Sequence, residues 1–168
     1  MFHSKLFLAL VVPVISVRVE RSHLVPAGMD DVPISERESV RHWLGDDKAY
    51  LYFSNYQSLK MQSKDLTLPQ WREAVEMSGD NIDVAYLYFS NLVSLAGDIP
   101  LSGWRSTVQY YGSGSGSFIQ GDHITRAYLY YSNWLSLPVS VRPNIDAWDL
   151  EVKRSGGDVN KAYLQFSA

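Results

Sequence analysis

The side chains best suited to chemistry recur along the chain instead of gathering in one place. Tyr50, Tyr86, Tyr128 and Tyr163 each stand one place after an alanine, and Ser54, Ser90, Ser132 and Ser167 stand four places further on. Asn55, Asn91 and Asn133 directly follow the first three of these serines. On a helix, residues four apart share a face, so each Tyr lies beside its Ser. Tyrosine joins a wide apolar ring to a polar tip, a combination suited to recognition surfaces, and these ten residues (Tyr50, Ser54, Asn55, Tyr86, Ser90, Asn91, Tyr128, Ser132, Asn133 and Tyr163) form a candidate binding face. The competing reading is that each Tyr packs on a neighbouring unit and each Ser or Asn bonds locally, because duplication by itself repeats a side chain.

The remaining reactive groups have simpler roles. His3, His23, His42 and His123 lack ligand-like spacing, and surface or capping positions account for them. Asp46, Asp80, Asp122 and Asp158 recur with the unit, yet none sits in an Asp-x-Asp-x-Asp-Gly frame with a distal Glu, and helix N-capping explains all four. No Gly-x-Ser-x-Gly elbow occurs, the low-complexity run Gly112 to Ser117 holding only its letters, and no phosphate-cradling Gly-x-x-x-x-Gly-Lys loop occurs. With no cysteine, thiolate metal sites and thiol nucleophiles are excluded. The expectation is a non-enzymatic protein with no catalytic residues, no metal site and no cofactor. A formal net charge of -3, with Lys and Arg scattered, argues against a nucleic-acid partner.

The elements that must hold the Tyr, Ser and Asn residues come from four copies of one unit. Gly45-Asp46 precedes Ala49 to Asn55, Gly79-Asp80 precedes Ala85 to Asn91, Gly121-Asp122 precedes Ala127 to Asn133, and Gly157-Asp158 precedes Ala162 to Ala168. The alanines are 36, 42 and 35 residues apart, a period shared by helical-hairpin arrays and propeller blades. Aromatic residues in Ala-Tyr-Leu-Tyr-Phe and a Ser-Asn turn would suit strands. Helix signals agree with one another more fully. Ser35-Glu36-Arg37-Glu38 has the form of a capping box, Pro69 lies in a first turn followed by helix formers, Ser78-Gly79 is a stop, and Asn144 precedes another helix ended by Gly156-Gly157. In each Gly-Asp pair, Gly would take the left-handed conformation closing one helix while Asp caps the next. Ala85, Phe89, Leu92 and Leu95 then share one face, as do Ala49, Phe53, Tyr56 and Leu59, and Ala127, Tyr131, Trp134 and Leu137. These signals predict an all-α fold, a short array of antiparallel helical hairpins after an N-terminal arm, with an all-β propeller or meander as the alternative.

The order Gly121-Asp122, Ala127, Tyr130-Tyr131, Leu135, Leu137 and Pro138 resembles the second helix of a tetratricopeptide repeat. Trp71, Trp104 and Trp148 stand where that family's first helix keeps a Trp, each followed four residues on by Val in place of the family's Gly. The Trp-to-Ala spacing also departs from a fixed value, being 14, 23 and 14 residues. The resemblance spans Ile34 to the end and implies a protein-binding helical array.

Four units are expected, at 34–65, 66–98, 99–140 and 141–168, behind an arm at 1–33. Lys5 followed by the apolar run Leu6 to Val17 has the order of a secretory signal, or of a strand or arm docking on the core. At 12 residues the run is too short to span a bilayer, so no transmembrane span is expected, and a secreted or extracellular location is favoured over a cytoplasmic one. Gly112 to Ser117 reads as a flexible loop or an inserted linker. The functional expectation is a repeat scaffold binding a protein or peptide. A second is a secreted structural protein that self-associates into filaments. A third, a host-directed effector, follows from Arg21-Ser22-His23-Leu24 and Ser35-Glu36-Arg37, which resemble the leader of oomycete secreted effectors.

Overall fold

The computed structural model describes residues 32–63, 65–95, 99–113 and 118–167. The signal-like run, the effector-like Arg21 to Leu24, His3, His23 and most of the Gly-Ser stretch lie outside the described residues. Among the described residues eight α-helices follow one another in four pairs: α1 (Ile34–Leu44) with α2 (Asp46–Gln62), α3 (Leu68–Met77) with α4 (Ile82–Ser94), α5 (Leu101–Gly112) with α6 (Gly121–Ser136), and α7 (Ile145–Arg154) with α8 (Val159–Ser167). No strand occurs among the described residues, so the all-β alternative falls and the all-α reading stands.

Each odd-numbered helix packs on its even partner, and α2, α4, α6 and α8 pack on one another in chain order. The even helices therefore make a continuous row. The predicted stripe faces its core: Ala49, Phe53, Tyr56 and Leu59 are buried, as are Ala85, Phe89 and Leu95, and Ala127, Tyr131 and Leu137. Leu92 and Trp134 are partly covered.

The odd helices join this row through one residue. Trp71, Trp104 and Trp148 are each completely buried, four residues before the buried Val75, Val108 and Val152. Each Trp sits between two units. Trp71 lies 5.7 Å from the ring of Tyr52 in the unit before and 6.3 Å from Phe89 in its own. Trp104 repeats this between Tyr88 and Tyr131, at 5.7 and 6.1 Å, and Trp148 between Tyr130 and Phe166, at 5.9 and 6.1 Å. Because the two even-helix rings of a unit are adjacent in sequence and meet edge to face at 5.0 Å in α2 and α4 and at 4.9 Å in α6, the rings touch continuously from Trp43 to Phe166. Where α6 carries Tyr131 in place of Phe, Thr107 Oγ1 lies 3.1 Å from its hydroxyl, and Gly103 leaves room for that oxygen, which a β-carbon there would approach to 3.1 Å.

The indole nitrogens of all three Trp residues are buried without a hydrogen-bond partner. Leaving such a donor unpaired costs about 1–3 kcal/mol. Burying an aromatic side chain of roughly 150–250 Å² returns about 4–6 kcal/mol at most, so ring burial outweighs the orphaned donor.

Several expected caps are placed differently. Asn144 caps α7, its side chain accepting from Ala147 N–H at 2.8 Å, and Ser78 ends α3 with Gly79 in the left-handed region at φ 64°. Ser35 and Glu38 form no capping box, however. Pro33 precedes α1 and its carbonyl accepts the Glu36 and Arg37 N–H groups, which puts Ser35 inside the first turn and turns Glu36 toward Arg72. Of the four Gly-Asp aspartates only Asp158 caps, accepting from the N–H groups of Asn160 and Lys161 at 3.1 Å; the Lys161 bond, first among its causes, holds its carboxyl below the usual range. Asp80 is itself left-handed at φ 62°, which shifts the cap to Asn81, whose side chain accepts from Val84 N–H at 3.2 Å. Asp46 lies within the first turn of α2 and pairs with Arg41 at 2.8 Å, and Asp122 lies in the first turn of α6. His123, buried, does the capping work there: its Nδ1 accepts from Gln120 N–H at 3.1 Å.

Two outcomes follow from the buried rings. Trp104→Ala is expected to lose about 3–5 kcal/mol in urea unfolding followed by circular dichroism. Trp104→Phe, which keeps a ring and removes the orphaned donor, is expected to lose clearly less; equal losses would contradict ring wedging. Burial also raises the phenols of Tyr52, Tyr88, Tyr130 and Tyr131, and pushes Tyr111 up to about 12. A raised phenol keeps its proton in the fold after the unfolded chain has lost it. Its stabilisation is thus complete below about pH 10 and declines above it. Alkaline titration by phenolate absorbance should show exposed tyrosines ionising first and these five only as helicity is lost.

Candidate recognition face

Helix geometry separates the residues of each even helix by direction. From the buried Ala, the rings three and four places on point to the core, the Tyr one place on lies on a flank, and the residue two places on lies about 200° around, on the opposite side. That last residue is leucine in every unit: Leu51, Leu87, Leu129 and Leu164. Leu51, Leu129 and Leu164 are 48%, 44% and 62% exposed, and Leu87 is half-buried. They were not among the expected site residues. The signal was present, since a leucine recurs at a register opposite the core stripe, where a solvated face calls for polar side chains.

The ten expected residues lie on the same even helices. Tyr50 is 41% exposed, whereas Tyr86, Tyr128 and Tyr163 are half-buried and pack on the core cluster. All four share one register. What differs is that α4, α6 and α8 each have an even helix before them in the row, while among the described residues α2 has none. The tyrosine flank is thus largely taken up by packing between units. Ser90 and Ser132 direct their hydroxyls to the carbonyls of Leu87 and Leu129, three residues back, at 3.2 and 3.3 Å, and Ser54 is partly covered. Asn133 donates to Asn160 of the next even helix at 3.1 Å, and Asn55 and Asn91 occupy the same register, half-buried.

Two of these leucines approach the turn that leads into the next even helix. Leu51 lines a recess of about 350 Å³ with Lys48 and the Gly79 to Asp83 turn, and Leu87 Cδ2 lies 3.6 Å from where a β-carbon on Gly121 would sit. A separate cleft of about 440 Å³ opens between the ends of α2 and α4 and the starts of α3 and α5. Among the described residues that line it, Asp65 is the ionisable one, set among Leu66, Phe89, Leu92 and the amides of Gln62 and Gln70. Among the described residues no three His, Asp or Glu side chains gather as a metal would need, and no helix is long and apolar enough to cross a membrane.

Comparison with protein-family models, with curated proteins and with solved structures finds no match for this chain. The helical-repeat architecture therefore rests on its own geometry, and the likeness to the tetratricopeptide pattern remains one of residues and helix pairing.

The different surroundings of equivalent tyrosines give a direct check. Tyr50→Ala is expected to change stability by no more than about 0.5 kcal/mol, as for an exposed site. Tyr128→Ala, which uncovers a packed seam, is expected to cost about 1–2 kcal/mol. Paired urea unfolding curves measure both, and equal costs would show the flank to be free in every unit.

Proposed function

We propose that the protein is a non-enzymatic repeat scaffold that binds a protein or peptide segment along the outer face of α2, α4, α6 and α8. The observation that carries this reading is the leucine at the register opposite the core stripe in every unit, exposed in three of them and next to a tyrosine: Tyr50-Leu51, Tyr86-Leu87, Tyr128-Leu129 and Tyr163-Leu164. Leu87 packs on the core, but Leu51, Leu129 and Leu164 take no part in it, so packing within the chain does not call for those three. Apolar side chains aligned across a surface mark interaction sites more often than isolated ones do.

The dimensions set the kind of partner. Packed helices lie about 8–10 Å apart, so four in a row carry the stripe over roughly 24–30 Å. An extended segment covers that in about eight residues at roughly 3.3 Å each. Tyrosine rings beside the leucines favour apolar side chains spaced along such a segment, and the amides of Asn55 and Asn91 offer donors and acceptors to its backbone.

The test is a triple variant, Leu51→Glu, Leu129→Glu and Leu164→Glu, set against peptides selected on the unaltered protein from a random library. These leucines lie away from the core, so the variant is expected to keep its helicity and its melting temperature to within a few degrees. Affinity for the selected peptides should drop at least tenfold, about 1.4 kcal/mol. Selection that returns no binder, or binders that hold the variant equally well, would refute the reading.

A further inference from the structure

The charged side chains that border the outward leucines change along the array. Two places before the buried alanine of each even helix stand Asp47, Asp83, Thr125 and Asn160, and one place before it stand Lys48, Val84, Arg126 and Lys161. At about 100° per residue both rows flank the leucine row, and Lys48, Arg126 and Lys161 each lie three residues before an exposed leucine. Most charges at this edge are answered within the fold. Asp46 pairs with Arg41 at 2.8 Å, Lys161 lies 3.6 Å from Asp158, Asp122 lies 3.6 Å from His123 Nε2, and Asp47 is not free. Lys48, Asp80, Asp83 and Arg126 remain. The first three share the Leu51 recess, Arg126 stands exposed on α6, and among the described residues none of these four side chains makes a hydrogen bond or an ion pair. In the connection between α5 and α6, Gly114-Ser115-Gly116-Ser117 adds no charge.

The recess thus sets the carboxylates of Asp80 and Asp83 against the single ammonium of Lys48 and is left negative, whereas Arg126 is left positive. These two places lie one to one and a half helix spacings apart along the stripe, roughly 10–15 Å, or about three to five residues of an extended segment. A long basic side chain suits the recess, because its methylene stem can cover Leu51 while its charge meets Asp80 and Asp83. A carboxylate suits Arg126, whose guanidinium presents paired donors.

Resting on the reading of the outer face as a peptide-binding surface, we propose that its partner is a segment of mixed charge, with a Lys or Arg over the Leu51 recess, an Asp or Glu over Arg126 and apolar residues around them. Exposed ion pairs add little affinity, but reversing their order brings like charges together. Asp80, Asp83 and Arg126 therefore fix which way the segment lies along the array. The leucine stripe carries the same residue in each unit and does not by itself distinguish the two directions.

The experiment sequences the peptides selected on the unaltered protein and titrates the tightest by fluorescence anisotropy at low salt. The peptides are expected to carry a basic and an acidic residue about three to five places apart. Arg126→Glu should weaken binding about five- to tenfold, and replacing the peptide's acidic residue by Lys should restore most of that loss on Arg126→Glu while weakening binding to the unaltered protein. Asp83→Lys should behave in the same way toward a peptide whose basic residue is replaced by Glu. Glu38→Lys, an equal change of charge at an exposed site on α1, should alter affinity less than about twofold. These differences should shrink at high salt. If Asp83→Lys loses helicity by circular dichroism, Asp83→Asn takes its place, with a smaller loss expected. The proposal is overturned if the peptides lack the charge pair, if no swap restores binding, or if Glu38→Lys weakens binding as much as Arg126→Glu. Any of these results, with binding still lost on the Leu51, Leu129 and Leu164 triple variant, leaves the peptide-binding reading standing. No selected binder, or binders indifferent to the triple variant, would refute both.

Discussion

Everything in this architecture hangs on one indole ring placed between two others. A helix of ten residues, such as α3 or α7, is too short to be stable alone in water and must borrow stability from its neighbours. Trp71, Trp104 and Trp148 supply that link by touching the tyrosine of one unit and the Phe or Tyr of the next, so the second, third and fourth units each complete their core against the one before. The protein accepts three buried indole N–H groups without partners to keep this geometry. Stability of such an array is approximately a sum of units and junctions, and the junction term here is concentrated in a single residue type.

Polar contacts reinforce the same joints from outside. Arg72 and Arg105 each follow a wedge Trp and reach back to a carboxylate on the preceding odd helix, Glu36 and Glu73. These pairs are half-exposed, a setting in which an ion pair contributes little beside the burial of an aromatic ring. Their value lies in orientation, since they tie α3 to α1 and α5 to α3 beside the inward-pointing Trp71 and Trp104. In the third unit the longer connection is also tied back: Ile119 N–H donates to the Met77 carbonyl at 2.9 Å, and Phe118 packs on Gly79. An insertion that would otherwise loosen the array thereby becomes a second link between units two and three.

The division of labour on the even helices explains how much of the candidate face could be read in advance. A repeated Tyr, Ser and Asn set is visible in the chain, and it does lie on one row of helices. Its accessibility was not legible, because exposure depends on whether another even helix lies alongside. Tyr50 and Tyr128 have the same register and near-identical local sequence, yet only Tyr50 is well exposed. Conversely, the outward leucines drew no notice by residue type, leucine being mostly buried in folded proteins. The Gly-Asp pairs show the same limit on a smaller scale: one dipeptide serves as a cap at Asp158, an ion-pair partner at Asp46 and a left-handed turn at Asp80.

Periodicity, capping residues and the apolar stripe at offsets 0, 4, 7 and 10 were enough to determine that the chain is helical and built of repeated hairpins, because these are local properties written within one turn or one unit. The tertiary structure decided the rest. Only the packed array shows that the tyrosine three places after each alanine, and not the one next to it, meets the tryptophan of the following unit. That pairing joins residues of separate units, and no spacing within one unit encodes it.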